Sequence, residues 1–153
     1  MYGVSQIHSA QNIMLISFPN AVYTADSLAR HLQIFADLGI VVDMISQSAP
    51  HGASIDFSFT TGSENLAAVM KALPAAKKDS ASAPLISSGY SKINLFGEEM
   101  VASCGVAARA LGALAGDGIE ISLITTSDLD ISLLVRSEDE DTAMTLLSAA
   151  FAL

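Results

Sequence analysis

Two periods of hydrophobic patterning, one near two residues and one near 3.6, follow each other along the chain in an order that occurs twice. Asn12 to Ser17 reads as a strand. Thr24 to Leu38 places Leu28, Leu32, Phe35 and Ala36 on one helical face, with Asp26 in the first turn, where the helix dipole favours a carboxylate. Gly39 supplies the stop. Ile40 to Ser46 and Ser54 to Thr60 follow as strands, joined by the turn Ala49-Pro-His-Gly52; in the second, Ile55, Phe57 and Phe59 face one way and Asp56, Ser58 and Thr60 the other. Glu64 to Leu73 repeats Leu66, Val69, Met70 and Leu73 at helical spacing, and Pro74 is expected to end it. Lys77-Lys-Asp-Ser-Ala-Ser82 then crosses to a short strand, Pro84 to Ser88.

The second half retraces this course. Lys92 to Phe96 reads as a strand and Val101 to Ala115 as a helix burying Val106, Ala110, Leu111 and Leu114. Strands Ile119 to Thr125 and Leu129 to Arg136 and a helix Glu138 to Phe151 complete it, one strand short of the first half. An unfilled sheet position beside a buried helix leaves an edge exposed, and Gly3 to His8, which belongs to neither repeat, is the segment available to fill it. The expected fold class is α+β: two ferredoxin-like βαββαβ domains, each a four-stranded antiparallel sheet with helices on one face, intertwined by the N-terminal strand. The expected domains are 11–90, and 91–153 completed by an N-terminal strand 2–9.

The repeat is visible in the residues themselves. Ala36-Asp-Leu-Gly39 followed by Ile40-Val-Val-Asp-Met-Ile45-Ser-Gln-Ser48 recurs, displaced by about 79 positions, as Ala115-Gly-Asp-Gly118 followed by Ile119-Glu-Ile-Ser-Leu-Ile124-Thr-Thr-Ser127. Two copies of a small fold leave no room for a separate catalytic domain, so function must come from sites on or between them. Each copy is near the size where a lone core is marginal. Hydrophobic residues make up 51% of the chain and the mean hydropathy is +0.48, which points to surface that meets another copy of the protein.

Charge removes several function classes. Seven Lys and Arg against 16 Asp and Glu give a net charge of −9, and the cations form no stripe, so a nucleic-acid partner is not expected. The N-terminus has no basic region followed by an apolar core and no stretch reaches membrane-spanning length; no membrane partner is expected. Cys104 is the only cysteine, which fits a cytoplasmic protein. It stands near a helix N-terminus without the His and Asp or Asn of a nucleophile set, and packing is its simpler role. His8, His31 and His51 have no metal-ligand spacing, and Gly112, Gly116 and Gly118 follow no strand and make no phosphate loop; neither catalytic residues, a metal nor a cofactor is expected.

One stretch resembles a known family. Gly97-Glu-Glu-Met100-Val-Ala-Ser-Cys-Gly105-Val-Ala-Ala108, then Gly118-Ile-Glu-Ile-Ser-Leu-Ile-Thr-Thr-Ser127-Asp-Leu-Asp-Ile-Ser132, resembles the second ACT domain of aspartokinases. That family shows Gly-x-x-Met, a helix-opening Pro-Gly-Val-Ala, and Gly-Ile-x-Ile-x-x-Ile-Ser-Thr-Ser-Glu-Ile-x-Ile-Ser. The closing Leu147-Ser-Ala-Ala-Phe-Ala-Leu153 is similar to the family's last helix, and Asp43-Met-Ile-Ser-Gln47 resembles, more loosely, the first ACT domain. The resemblance implies a non-catalytic regulatory module that binds an amino acid, lysine or threonine, and transmits that binding to a catalytic aspartokinase subunit; ACT pairs of this family are intertwined and form homodimers, with the effector between the first domain of one chain and the second of its partner.

A free amino acid brings a carboxylate, which needs unpaired N–H groups, and an ammonium, which needs oxygens. Each copy has a helix N-terminus directly after its first strand. In the first copy the loop Ser17-Phe-Pro-Asn-Ala-Val-Tyr-Thr24 ends at Thr24 and offers Asn20 and Asp26 as ammonium partners, while Ser46 and Gln47 close the next strand; Gln47 corresponds to a family glutamine that contacts effector. In the second copy the expected surface is Glu98 to Ser103 together with Thr125, Thr126, Ser127 and Asp128, with Glu99, Met100, Val101, Thr125, Thr126 and Ser127 as the candidate effector contacts. The first loop lacks the family's Asp-x-Pro-Gly and is longer, and Cys104 stands where most members have proline. Each feature also has a plainer reading. Asn20 and Asp26 suit the cap and first turn of a helix, Gln47 and Thr125 to Ser127 suit strand ends, Glu98 and Glu99 a solvated turn, and Glu138 to Asp141 the acidic first turn of the last helix. The alternative to sensing is a dimerisation or interaction module whose ligand site has degenerated and which docks onto a kinase or other partner.

Overall fold

The computed structural model describes residues 2–77 and 83–153. Ten regular elements follow one another: β1 Gln6–Ala21, α1 Ala25–Ala36, β2 Ile45–Gln47, β3 Ile55–Gly62, α2 Leu66–Ala76, β4 Leu85–Phe96, α3 Val106–Ala115, β5 Leu123–Thr126, β6 Asp130–Arg136 and α4 Glu140–Phe151. The architecture is α+β, a six-stranded sheet in the order β2-β3-β1-β4-β6-β5 with four α-helices among the described residues. The pairings β1–β3, β2–β3, β4–β6 and β5–β6 are antiparallel.

Two compact units divide the chain, Asn12–Ser88 and Met1–Gln11 with Gly89–Leu153. In the unit Asn12–Ser88, β3 runs between β2 and β1, and the alternation of Ile55, Phe57 and Phe59 places all three in the core with Met14, Ile16, Phe18, Phe35 and Val69. Five contacts among Phe18, Phe35, Phe57 and Phe59, at centroid distances of 5.0–6.5 Å, make this core largely aromatic. In the other unit, Val4, Ile93, Leu95, Val106, Leu114, Leu133, Leu147 and Phe151 form the core. There the Ser5 N–H donates to the Phe96 carbonyl at 2.8 Å and Val4 is fully buried.

Several elements depart from the sequence reading, each for a local reason. Asn12–Ser17 is the middle of one 16-residue strand, because Asn12 takes a left-handed conformation (φ 57°) that a short polar side chain tolerates and the strand runs through it. Pro84–Ser88 and Lys92–Phe96 are likewise one strand, passing through Gly89 at φ +83°. Ile40–Ser46 shortens to Ile45–Gln47: the Thr60 backbone still bonds the Asp43 N–H and the Met44 carbonyl (3.0 Å each), but the Met44 N–H goes to the Thr60 hydroxyl (3.0 Å) and the Val41 carbonyl accepts from the Thr61 hydroxyl (2.8 Å), which interrupts the regular ladder. In the second copy only Leu123–Thr126 is strand. Pro74 does not end α2, which continues to Ala76: the proline lies in the last turn, where it removes one bond, and Ala72 and Ala76 bury against the core on both sides of it. Part of the Lys77–Ser82 crossing lies outside the described residues. The segment read as the helix Val101–Ala115 begins with a 3₁₀ turn, Glu98–Ala102, and only from Val106 is it α-helix; Leu111 is exposed. Leu66 and Met70 are exposed too, so the buried face of α2 is Val69, Ala72 and Ala76.

The acidic start of α4 is not wholly solvated. Glu140 is buried, and its carboxylate accepts hydrogen bonds from the Ser91 hydroxyl at 2.7 Å and the Gln11 amide at 3.3 Å, tying α4 to β4 and β1. The Ser91 hydrogen bond, opposed by burial and assisted by Ser9 and Gln11, holds the carboxyl below its ordinary value of about 4.5. A lowered folded pKa stabilises the fold above the unfolded value, and this contribution is lost as pH falls through the folded one. Glu140→Gln is therefore expected to lower stability at pH 7 by on the order of 1–2 kcal/mol, with the gap to wild type narrowing below about pH 4.5; urea unfolding of both proteins across pH 3–7 measures it.

Candidate functional site

The first expected site follows from how β1 ends. Between Phe18 and Ala21 the β1–β3 register shifts, and the surplus residue Asn20 adopts φ 56°, with its N–H donating to Asp56 Oδ1 at 3.2 Å. Thr24 then caps α1, its hydroxyl accepting from the Ser27 N–H at 3.2 Å. Asp26 is exposed and forms an ion pair with Arg30 one turn on. Ser46 lies opposite Ser58, and Gln47 opposite Phe57, which in turn lies opposite Phe18. Directly opposed residues of antiparallel strands share a face, so the row Gln47–Phe57–Phe18 projects to the side that buries the two phenylalanines. Asn20, Thr24 and Asp26 thus stand along the approach to the α1 N-terminus, and Ser46 and Gln47 at the end of edge strand β2. Thr24 and Asp26 each have a partner within their own helix.

The second expected site is differently furnished. Gly105, at φ +81°, takes the N-cap position of α3 and offers no side-chain cap, so the first N–H groups of the helix have no intrahelical or capping partner. Gly105, Val106 and Ala107, at the start of the helix, line a cavity of about 340 Å³ together with Met100, Val101, Ser103, Thr126, Ser127, Asp128 and Ile131. Met100, Val101, Thr126 and Ser127 are therefore brought together. Glu99 and Thr125 are not: Glu99 lines a separate cavity of about 250 Å³ beside Glu98 and Gly3, and Thr125, half-buried, lies opposite Ser132 in the β5–β6 pairing. Ser127 is already engaged in its turn, its hydroxyl accepting from the N–H groups of Leu129 and Asp130 at 3.2 Å and donating to Asp130 Oδ1 at 3.0 Å. A cavity so lined joins a helix N-terminus suited to a carboxylate, one exposed carboxylate (Asp128) suited to an ammonium, and an apolar wall of Met100, Val101, Val106 and Ile131.

The expected face of α1 is met at Phe35, which is buried in the core, and at Leu28 and Leu32, which pack against the core half-buried. Ala36 is exposed, and Ser27 and His31, outside that face, are buried. The sequence signal for their burial is the spacing of four that puts Ser27, His31 and Phe35 on one line of the helix. Ser103 stands in the expected stretch Glu98 to Ser103 and lines the cavity, whereas Gly105 and Val106 lie outside the expected set; a loop that leaves a helix uncapped has no side-chain signature.

With the fold and these two loops described, comparison with known proteins decides the family. The ACT domain family model matches residues 93–151. An aspartokinase of Mycolicibacterium smegmatis is 30% identical over 154 aligned residues, covering 99% of this chain and 36% of the relative. The chain belongs with the ACT-domain regulatory regions of aspartokinases. In a crystal structure of aspartokinase alpha and beta subunits, a chain 28% identical in sequence superposes with a TM-score of 0.85, covering 98% of this chain and 99% of the other. The ligand-free regulatory subunit of aspartate kinase from Thermus thermophilus, 23% identical, shares the fold with a TM-score of 0.88 over 97% of this chain and 99% of that subunit. This chain spans about a third of the length of the curated aspartokinase it matches. Aspartokinase is thus the family name for this ACT region, and no kinase domain lies within its 153 residues. No helix among the described residues is long and apolar enough to cross a membrane.

Proposed function

We propose that the chain is a non-catalytic, amino-acid-binding allosteric module of the aspartate-family biosynthetic pathway. Its domains are two ferredoxin-like ACT domains, 11–90 and 91–153, the second completed by the N-terminal strand 2–9. The burial of Val4, the Ser5–Phe96 hydrogen bond and the membership of Met1–Gln11 in the unit Gly89–Leu153 support that organisation. The effector is a free amino acid, lysine or threonine by family resemblance. The protein is a homodimer in the cytoplasm that acts on a catalytic aspartokinase subunit; the exposed Val41 and Ile45 beside edge strand β2 supply apolar surface for association. An amino acid that binds one arrangement of the dimer better than another shifts its population, and the attached subunit reads that shift.

The observation that carries this reading is the uncapped α3 N-terminus over the cavity that holds Val101, Thr126, Ser127 and Asp128. Thermal unfolding with lysine, threonine and methionine tests it. At a hundredfold excess over Kd one amino acid adds about 2.7 kcal/mol, raising Tm by about 5–10 °C for a chain of this length. Asp128→Asn and Gln47→Ala are expected to reduce the shift without lowering the ligand-free Tm by more than about 2 °C. Self-capping of α1 by Thr24 and the engagement of the Asn20 N–H by Asp56 favour a second reading for the first loop, a degenerate site in a module that only dimerises or docks on a partner. On that reading no amino acid changes Tm, and Gln47→Ala changes nothing.

A further inference from the structure

The least compensated polar group described in the unit Asn12–Ser88 is a side chain of α1. His31 is fully buried. Its Nδ1 is 2.7 Å from the Ser27 carbonyl oxygen. A carbonyl only accepts, so Nδ1 carries the proton, and Nε2 presents a bare lone pair when the ring is neutral. That Nε2 has no hydrogen-bond partner among the described residues. An acceptor of this kind is destabilising when buried unmet, whereas a leucine at the same position of the helix carries no such group. Native structures hold few such groups.

The contacts of the ring run toward the residues expected at the first amino-acid site. The hydrogen bond to Ser27 draws the imidazole back toward the α1 N-terminus, the direction in which helical side chains lean. Phe18 meets it edge-on at 4.6 Å and Phe57 at 6.3 Å. Those two phenylalanines are the inner members of the row that Gln47 begins, on the same face of the sheet. His31 is thus bonded toward the N-terminal end of α1 and packs on Phe18 and Phe57, the two rings that share Gln47's face of the sheet.

We propose that His31 is a specificity-determining residue of the first amino-acid site: its Nε2 accepts a hydrogen bond from a donor on the side chain of the bound amino acid, a hydroxyl or an ammonium. This rests on the effector reading above and adds the chemical class of side chain that the site selects. Displacement of the Phe57 or Phe18 ring uncovers the acceptor, and the ligand's donor removes the cost that the ligand-free protein carries. An isostere without the donor opens the same space and leaves Nε2 unmet, so it binds more weakly; sites built to bond a donor discriminate strongly against analogues that lack it.

The test is calorimetric titration of the intact chain with L-threonine, its isostere L-valine, and L-lysine, in wild type, His31→Asn, His31→Gln and His31→Leu. Asparagine keeps a donor for the Ser27 carbonyl and loses the group at Nε2; glutamine supplies a polar group near Nε2. Wild type is expected to bind threonine or lysine at least tenfold more tightly than valine, the responding ligand telling hydroxyl from ammonium. His31→Asn abolishes that preference, His31→Gln retains part of it, and His31→Leu abolishes it while raising the ligand-free Tm. Wild type binding valine as tightly as threonine and lysine overturns the inference, as does His31→Asn keeping the wild-type preference; in both cases the effector reading stands. Absence of binding by all three amino acids overturns both.

Discussion

Phe59→Ala is expected to lower the unfolding free energy by about 3–5 kcal/mol, enough to remove much of the stability of a domain this small. Phe59 is fully buried, with Phe35 edge-on at 5.0 Å and Phe18 and Phe57 each at 6.0 Å. Removing one ring leaves three others facing a void that β3, fixed between β1 and β2, cannot close by moving. Urea unfolding measures the loss, and Phe59→Leu, which keeps most of the volume, is expected to recover at least half of it. A loss below about 1 kcal/mol for the alanine variant contradicts the aromatic core described here.

The second large effect is at Gly97, whose backbone is extended (φ −174°) and for which side-chain space, not backbone strain, decides. A Cβ built there would stand 1.9 Å from the Gly3 carbonyl oxygen and 3.0 Å from Val4 Cα. Both neighbours are backbone, so relief requires the N-terminal segment to move as a whole. Gly97→Ala is expected to cost about 2–3 kcal/mol, a fall in Tm of about 4–12 °C. It also exposes the Ser5 amide, now bonded to the Phe96 carbonyl, to faster hydrogen exchange. Gly112→Ala, with open space around its Cβ and a place inside α3, is the control expected to leave Tm unchanged or raised. Equal protection of Ser5 in Gly97→Ala and wild type contradicts the tight seating of this segment.

The class of each long element was legible because burial imposes a period on the sequence. The alternation Ile55-x-Phe57-x-Phe59 and the spacing of Ala110 and Leu114 state which side faces a core, and the structure buries those residues. Where the reading slipped, a local interaction outranked the period. Thr60 and Thr61 look like ordinary β-formers, yet their hydroxyls take the Met44 N–H and the Val41 carbonyl and interrupt a ladder that Asp43 and Met44 otherwise continue. Ser27 and His31 look like a polar face, yet the ring bonds to the helix backbone and turns inward. Glu140 looks like one acid among four, and only its proximity in space to Ser91, 49 residues earlier, makes it a buried partner. The candidate site was half legible for the same reason. Thr126 and Ser127 stand in a repeated strand-end motif, whereas the uncapped start of α3 depends on a glycine at φ +81° that sequence shows only as Gly105. Aspartokinase resemblance supplied what patterning could not, the kind of ligand to test.

Sensing of a free amino acid by this chain is read out by isothermal titration of the intact chain with lysine and threonine. The predicted result is saturable heat with a Kd in the micromolar to low millimolar range for one of them, at no more than two sites per chain, weakened at least tenfold by Asp128→Asn or Gln47→Ala. Flat titrations with both amino acids at 10 mM, by a protein that remains folded, contradict the claim.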